Sequence, residues 1–355
     1  MRPGKISDSV LKRSILKQIR FRRQEVLSGA GIGEDCAIFA PSGLCASAVS
    51  QAPVEEGADM ARLLTRCANN LASAGARPLA VLLTLLLPEE AEEALLRQLM
   101  AAAEETGSQM GMQIAGGHTT VSRHVDCPLA CVTVYGTSME GPEAAACASL
   151  EGDSAQASEC PNRSASRACE PLRVTRGLRP GQEIVLTKWV ALEGTALLAR
   201  INRQRLLERY PAHLVETAEG FDRYLSVIPE AASAVKSGIL AMHDASEGGI
   251  LAALWELAES SGVGLSIDLR KIPIRQETVE ICEFCGVNPY MLASSGCLVL
   301  AADHGEALAD RLAAERIPAA VIGRITAGRD RLLYNGDEKR YLDKPVQDEI
   351  YKYMR

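Results

Sequence analysis

Apolar residues along this chain switch repeatedly between a helical and an extended period. Val10, Leu11, Ile15, Leu16 and Ile19 recur at helical spacing behind Ser7 or Asp8, which suit an N-cap, and the Arg20–Arg23 cluster favours the C-terminal end of that helix. Cys36–Phe39 and Ala46–Ser50 read as strands. Glu55–Ala74 is amphipathic and stops at Gly75 and Pro78. Leu79–Leu87 is continuously apolar and predicts a strand buried on both faces. Pro88-Glu-Glu opens a helix running to Thr106, with Gly107 as its stop. Strands at Met112–Ala115 and Pro128–Gly136 complete this half.

Periodicity is then lost. The stretch 140–171 is rich in Ala, Ser, Glu and Cys and has almost no large apolar residue besides Leu150, which predicts a flexible insertion or linker. The pattern restarts at Leu172. Strands are expected at Glu183–Trp189, Gly264–Leu269, Cys297–Ala302 and Ala320–Ile325. Helices are expected at Leu192–Arg205, Leu214–Ser237, Gly248–Ser261, Arg275–Cys285 and His304–Arg316. Such alternation predicts α/β and α+β architecture in two domains, 1–139 and 172–334, with a polar tail over 335–355.

Composition adds limits. The chain is 47% hydrophobic and only 4% aromatic, so Ala, Leu, Val and Ile must fill its core. A net charge of −7 argues against a nucleic-acid partner. The longest apolar run is about nine residues, against roughly 20 needed to span a bilayer, and no apolar leader is visible. No membrane association and a cytoplasmic location are expected. Eleven cysteines, an odd number, fall mostly in patterned apolar segments and read as core thiols, Cys282 and Cys285 included. Cys147, Cys160 and Cys169, inside the insertion, are the thiols most open to oxidation.

Four short segments could carry chemistry. Gly31-Ile-Gly33-Glu34-Asp35 offers free backbone amides beside two hard oxygen ligands, though an acidic turn alone would explain it. Gly116-Gly117-His118-Thr119 follows an apolar strand and offers amides, an imidazole and a hydroxyl; a tight turn is the competing account. Lys188 and Gly194-Thr195 flank a strand-to-helix turn that could hold a phosphate or be only a turn. Asp244-Ala-Ser246-Glu-Gly248-Gly opens a helix, where Asp244 and Ser246 suit capping as well as ligand binding.

Together these segments resemble one ATP-using superfamily: aminoimidazole ribonucleotide (AIR) synthetase, selenophosphate synthetase, thiamine-monophosphate kinase and the hydrogenase-maturation dehydratase. Gly33-Glu34-Asp35-Cys36-Ala37 is similar to the family's Gly-Asp-Asp-Ala-Ala, and Asn69-Asn70-Leu-Ala…Gly75-Ala-Arg-Pro78 to its Asn-Asp-Leu-Ala…Gly-Ala-x-Pro. Gly116-Gly-His-Thr119 matches the selenophosphate-synthetase form of a motif, and Met242-x-Asp244-x-Ser246-Glu-Gly248 resembles the kinase's Met-x-Asp-x-Ser-Asp-Gly. Thr278–Ala293 looks most like the hydrogenase-maturation (HypE-like) branch.

The resemblance implies a two-domain AIR synthetase-like fold whose N-terminal domain pairs with its twin in a dimeric β-barrel. It implies ATP and Mg2+ as cofactors and a small-molecule substrate. Metal would sit on Glu34, Asp35, Asn70 and Asp244. Nucleotide would be held by Gly31, Gly33, Gly116, Gly117, Thr119, Gly194, Thr195, Ser246 and Gly248, with Asp244, His118 and Lys188 as catalytic candidates. The pattern also breaks. Asn70 stands where the family has an aspartate, Gln51 where another acid is expected, and His118 replaces the acid of the kinase form. Fewer charges mean weaker magnesium binding. The sequence ends Tyr351-Lys-Tyr-Met-Arg355, without the terminal cysteine that carries the dehydratase's carbamoyl group, so that reaction is not expected. Two readings follow: an ATP-dependent kinase or synthetase, or a degenerate relative that binds a ligand or partner without catalysis.

Overall fold

The computed structural model describes residues 26–28, 37–39, 45–139, 177–239, 241–345 and 347–353. The predicted first helix and the 140–171 insertion lie outside them. The described chain forms two sheets, each with its own helices.

The first sheet contains β1 (Val26–Ser28), β2 (Ala37–Phe39), β3 (Cys45–Pro53), β4 (Ala76–Leu87), β5 (Gln113–Val121) and β6 (Leu129–Ser138) in the order β1-β2-β3-β6-β4-β5. Only β4 and β5 run parallel. Helices α1 (Gly57–Ser73) and α2 (Glu93–Gln109) cover one face. Asp59 fixes the start of α1, its Oδ2 accepting from the amides of Glu55 (2.9 Å) and Glu56 (3.0 Å). Leu63, Leu64, Cys67 and Leu71 of α1 pack on Ala48, Val81, Leu83, Val132 and Val134.

The continuous apolar run of β4 is not buried on both faces. Its residues alternate, because among the described residues helices cover one side only. On the other side Leu82 is 37% exposed, beside Val49 at 59% on β3 and Tyr135 at 38% on β6.

The second sheet contains β7 (Glu183–Thr187), β8 (Ala241–Ala245), β9 (Gly264–Asp268), β10 (Cys297–Ala302), β11 (Ala319–Thr326), β12 (Arg331–Asn335) and β13 (Glu338–Tyr341) in the order β13-β12-β9-β11-β7-β10-β8. It is covered on both faces, and every residue of β10 is buried. One core gathers Ile250, Leu254 and Leu257 of a helix over Gly249–Ser261 against Leu265, Ile267 and Val299. The other gathers Ala231, Val235, Leu308 and Leu312 against Val185, Leu298 and Leu300.

In chain order the helices of this half are α3 (Leu192–Ile201), α4 (Arg203–Leu207), α5 (Ala212–Glu219), α6 (Ile228–Lys236), α7 (Gly249–Ser261), α8 (Gln276–Cys285) and α9 (Gly305–Ala314). The region expected as one helix over 214–237 is broken, with a 3-10 turn at Gly220–Tyr224 and a restart at Ile228-Pro229. The segment expected as a polar tail contains the β12–β13 hairpin's second strand. Among the described residues no helix is long and apolar enough to cross a membrane.

Candidate functional site

Two groups of the sequence-predicted residues separate in space. Gly31, Gly33, Glu34 and Asp35 lie outside the described residues. Gly116, Gly117, His118 and Thr119 do not follow a strand: β5 continues through them to Val121 as the sheet's edge, and all four are exposed. Gly117 has φ +150, and a Cβ there would stand 1.9 Å from the Leu83 carbonyl oxygen, so the close approach of β5 to β4 demands glycine. Register aligns Gln51 with Cys131, Cys131 with Thr84, and Thr84 with His118. Gln51 and His118, two of the positions where the resemblance led to the expectation of an acid, therefore share one row across the sheet.

Around the β7–α3 turn the predicted groups are engaged within the chain. Lys188, at φ +52, is buried, and its Nζ donates to the carbonyls of Tyr224 (2.8 Å) and Ser226 (2.6 Å) and pairs with Glu230 Oε1 at 2.6 Å. Gly194 donates its amide to Ala293 O (2.9 Å), and a Cβ on it would lie 2.3 Å from Leu292. Thr195 is fully buried with its hydroxyl on Thr278 Oγ1 at 3.1 Å. The structure thus gives these three residues packing and bonding roles inside the second domain.

Asp244 ends up elsewhere, on the buried strand β8 with 3% exposure, where α1 of the first domain packs against that strand. Its turn continues through Ser246 and Glu247 to Gly248, the first residue before α7. From α1, Arg66 reaches this wall and pairs through Nη2 with Glu193 Oε1 at 2.6 Å. Burial works to raise the Glu193 carboxyl, but the Arg66 charge and hydrogen bond carry it below the ordinary range. The guanidinium is in turn raised, chiefly by Glu193 and then by Glu247 and Asp244. One turn further along α1, Asn69 clamps the domains together: its Nδ2 donates to Leu225 O (2.7 Å) and its Oδ1 accepts from Val227 N (2.9 Å). Asn70 beside it is half-buried.

A strap from the chain's end closes the turn. Asp348 Oδ2 accepts from the Gly248 amide (2.6 Å), and Oδ1 from Ile350 (2.8 Å) and Ala293 (3.2 Å). The Gly248 amide, expected to meet a ligand anion, therefore meets a carboxylate of the chain itself. Desolvation raises Asp348 to about 6 against the pull of those amides. A raised acid is held protonated more firmly in the folded than in the unfolded chain. Its contribution to stability is complete below the ordinary value of 3.8 and is lost as pH rises through about 6. Asp348→Asn is expected to remove that pH dependence, read as the difference in melting temperature from the parent between pH 4.5 and 7.5; equal differences at both pH values contradict it.

Arg66, Glu193 and Asp348 were not singled out by motif reasoning. One signal was present for Arg66: it interrupts the apolar face of a helix whose neighbours Leu63, Leu64, Cys67 and Ala68 are all buried. Nothing local marks Asp348, whose partners lie about 55 and 100 residues away in sequence.

A magnesium site needs several hard oxygen ligands. Of the predicted set only Asn70 and Asp244 are described, and among the described residues no group of three or more His, Cys, Asp or Glu could hold a metal ion. The described wall by itself does not fit a metal.

The AIR synthase related protein N-terminal domain matches residues 29–138, and the AIR synthase related protein C-terminal domain matches 179–335. Carbamoyl dehydratase HypE of Rhodobacter capsulatus is 29% identical over 281 residues, covering 78% of this chain and 72% of that protein. HypE of Azotobacter vinelandii is 26% identical over 273 residues, covering 75% and 69%. Among solved structures, hydrogenase maturation protein HypE in complex with ATP superposes with a TM-score of 0.67 at 19% identity, covering 98% of this chain and 97% of that one. A ThiL structure complexed with AMPPCP and TMP gives 0.65 at 17% identity, covering 88% and 93%. At these identities the structural likenesses speak to the fold.

Proposed function

We propose, from the premise that the chain belongs to the AIR synthase-related family, that it binds ATP between its two domains and uses the γ-phosphate on a small-molecule substrate. The observation that carries this is the Asp244-Ala-Ser246-Glu247-Gly248 turn. It faces α1 of the first domain across a wall of buried charge, in a fold shared with a HypE bound to ATP. The chain's own residues supply a buried carboxyl at Asp244 and a cation at Arg66 that its ion pair with Glu193 holds in place at 2.6 Å. The guanidinium suits the negative charge of a transferring phosphoryl group, and the carboxyl suits orienting the substrate or taking a proton from it. No step is assigned to magnesium, because the described residues do not form its site.

Titration calorimetry with a non-hydrolysable ATP analogue, with and without magnesium, tests the reading. Saturable binding is expected in at least one condition; absence of heat in both sinks it. Glu34→Ala with Asp35→Ala then reports whether the acidic glycine segment contributes metal.

A second reading has its own support. Asn70, Gln51 and His118 remove charge from the family's acidic positions, which suits a relative that binds ligand without turnover. In that case no ATP hydrolysis or phosphoryl transfer is measurable, and Asn70→Asp with Gln51→Asp creates metal binding absent from the parent.

The face of the first sheet that no helix covers among the described residues supports pairing with a second copy. Val49, Leu82, Leu129 and Tyr135 are exposed on it, and apolar side chains gathered on one sheet face favour burial in an interface. Leu82→Asp with Tyr135→Asp is expected to give a monomer by light scattering where the parent is a dimer. A monomeric parent, or a variant still dimeric, contradicts the pairing.

A further inference from the structure

A cavity of about 530 Å3 opens at the β12–β13 rim of the second sheet. Leu269, Arg270, Asn288, Tyr290, Leu333 and Arg340 line it, and it shares no residue with the wall around Asp244. Its volume falls within the range of sites that hold small molecules.

Register decides what faces it. Leu333 stands opposite Arg340 across the hairpin, and directly opposed residues of antiparallel strands point to the same face. Leu333 and Leu269 belong to the core that also holds Leu265 and Ile267, and Tyr290 packs against that core. Arg340 is therefore on the core side of the hairpin, over an apolar floor.

Tyr290 is pinned at two points. Its amide donates to Asn288 Oδ1 at 3.0 Å, and its hydroxyl donates to Leu269 O at 3.5 Å. Burial raises its phenol while the charge of Arg340 pulls the other way, as a nearby guanidinium does. Arg270 comes from the opposite lip. Its Nη1 is 3.7 Å from where a Cβ on Gly336 would stand, at the tip of the hairpin, and its Nε is 3.4 Å from Asp268 Oδ1. The Arg340 side chain makes no ion pair or hydrogen bond among the described residues. Glu338 is the one acid in the lining, and Lys339 beside it offsets its charge. In a chain of net charge −7 this leaves two guanidinia over a flat ring, and a guanidinium fork matches the oxygens of a carboxylate or a phosphate.

We propose that this cavity is a further ligand site, for a small anion that carries a flat ring. The ring lies against Tyr290, Leu269 and Leu333, and its phosphate or carboxylate meets Arg340 and Arg270. The inference goes beyond the ATP reading and does not depend on it.

Fluorine NMR of three probes added to the full chain without nucleotide tests it: para-fluorophenyl phosphate, para-fluorobenzoate and the neutral para-fluorobenzyl alcohol. At least one of the two anions is expected to broaden on binding, and the alcohol is not; which anion broadens more tells phosphate from carboxylate. Arg340→Gln should weaken that binding roughly tenfold, the scale of one charge-assisted hydrogen bond. Tyr290→Leu keeps the apolar packing, removes the flat ring and should weaken it as well. Should Arg340→Gln melt below the assay temperature, Arg270→Gln, on the opposite lip, gives the same reading. No broadening of either anion, or equal broadening of the alcohol, overturns the proposal. Broadening that the arginine variants leave unchanged belongs elsewhere on the chain and overturns it equally. Because no nucleotide is present, failure here leaves the ATP reading intact, and failure of the ATP titration leaves this one intact.

Discussion

Lys188→Met should destabilise the protein by roughly 3–5 kcal/mol, the usual penalty for breaking a buried ion pair from one side. The substitution keeps the apolar stem and removes the ammonium. Glu230, 3% exposed, is then left without its cation, and the carbonyls of Tyr224 and Ser226 lose their shared donor. Those carbonyls belong to the segment that Asn69 grips from the first domain through Leu225 and Val227. The loss should therefore loosen the domain contact as well as the second core. Urea unfolding measures it. Lys188→Met with Glu230→Gln should recover part of the loss, because no unpaired charge remains buried. A single variant within about 1 kcal/mol of the parent would show that the pair carries little and would return Lys188 to the list of candidates for chemistry.

Asp244→Asn should lower nucleotide turnover on the order of 100-fold, the scale seen when one preorganised electrostatic group is removed from a reacting site. The amide is nearly isosteric, so packing on β8 is preserved while the charge disappears. In the binding-only reading there is no turnover to lose, and the same variant changes affinity alone. Turnover retained within a few-fold, in a chain with unchanged melting, would remove Asp244 from the chemistry.

Much of the architecture was legible from hydrophobic period. Glu55–Ala74 anticipated α1, Gly248–Ser261 anticipated α7, and Cys297–Ala302 is the strand β10. Long segments with one strong period are read well because packing and propensity agree along them. The errors have specific causes. Ending the fourth expected strand at Ala115 followed from taking Gly116-Gly117 as a turn signal, whereas Gly117 is there to let two strands touch. The reading of Leu79–Leu87 as doubly buried treated apolarity as proof of cover, but among the described residues helices lie on one face only. Joining 192–205 into one helix overlooked Asn202, which ends α3 and starts α4.

The candidate wall was legible in outline and not in detail. Asp244 stood out as a candidate because its motif is contiguous. Arg66, Glu193 and Asp348 come from three separate stretches of chain and acquire meaning only when α1 and the terminal strap are folded onto the second sheet. Gly194 and Thr195, read from the sequence as possible phosphate contacts, also meet Leu292 and Thr278, contacts that no local pattern encodes.

The position of β5 at the rim of its sheet bears on handling as well as on chemistry. Among the described residues nothing hydrogen-bonds beyond it, and Gln113–Val121 contains no lysine, arginine, acid or proline. Such a strip is a template for strands of other molecules when the chain is warmed or concentrated. Aggregates formed on mild heating should be seeded there, and Thr120→Lys should slow their growth, followed by thioflavin fluorescence, without changing the melting temperature.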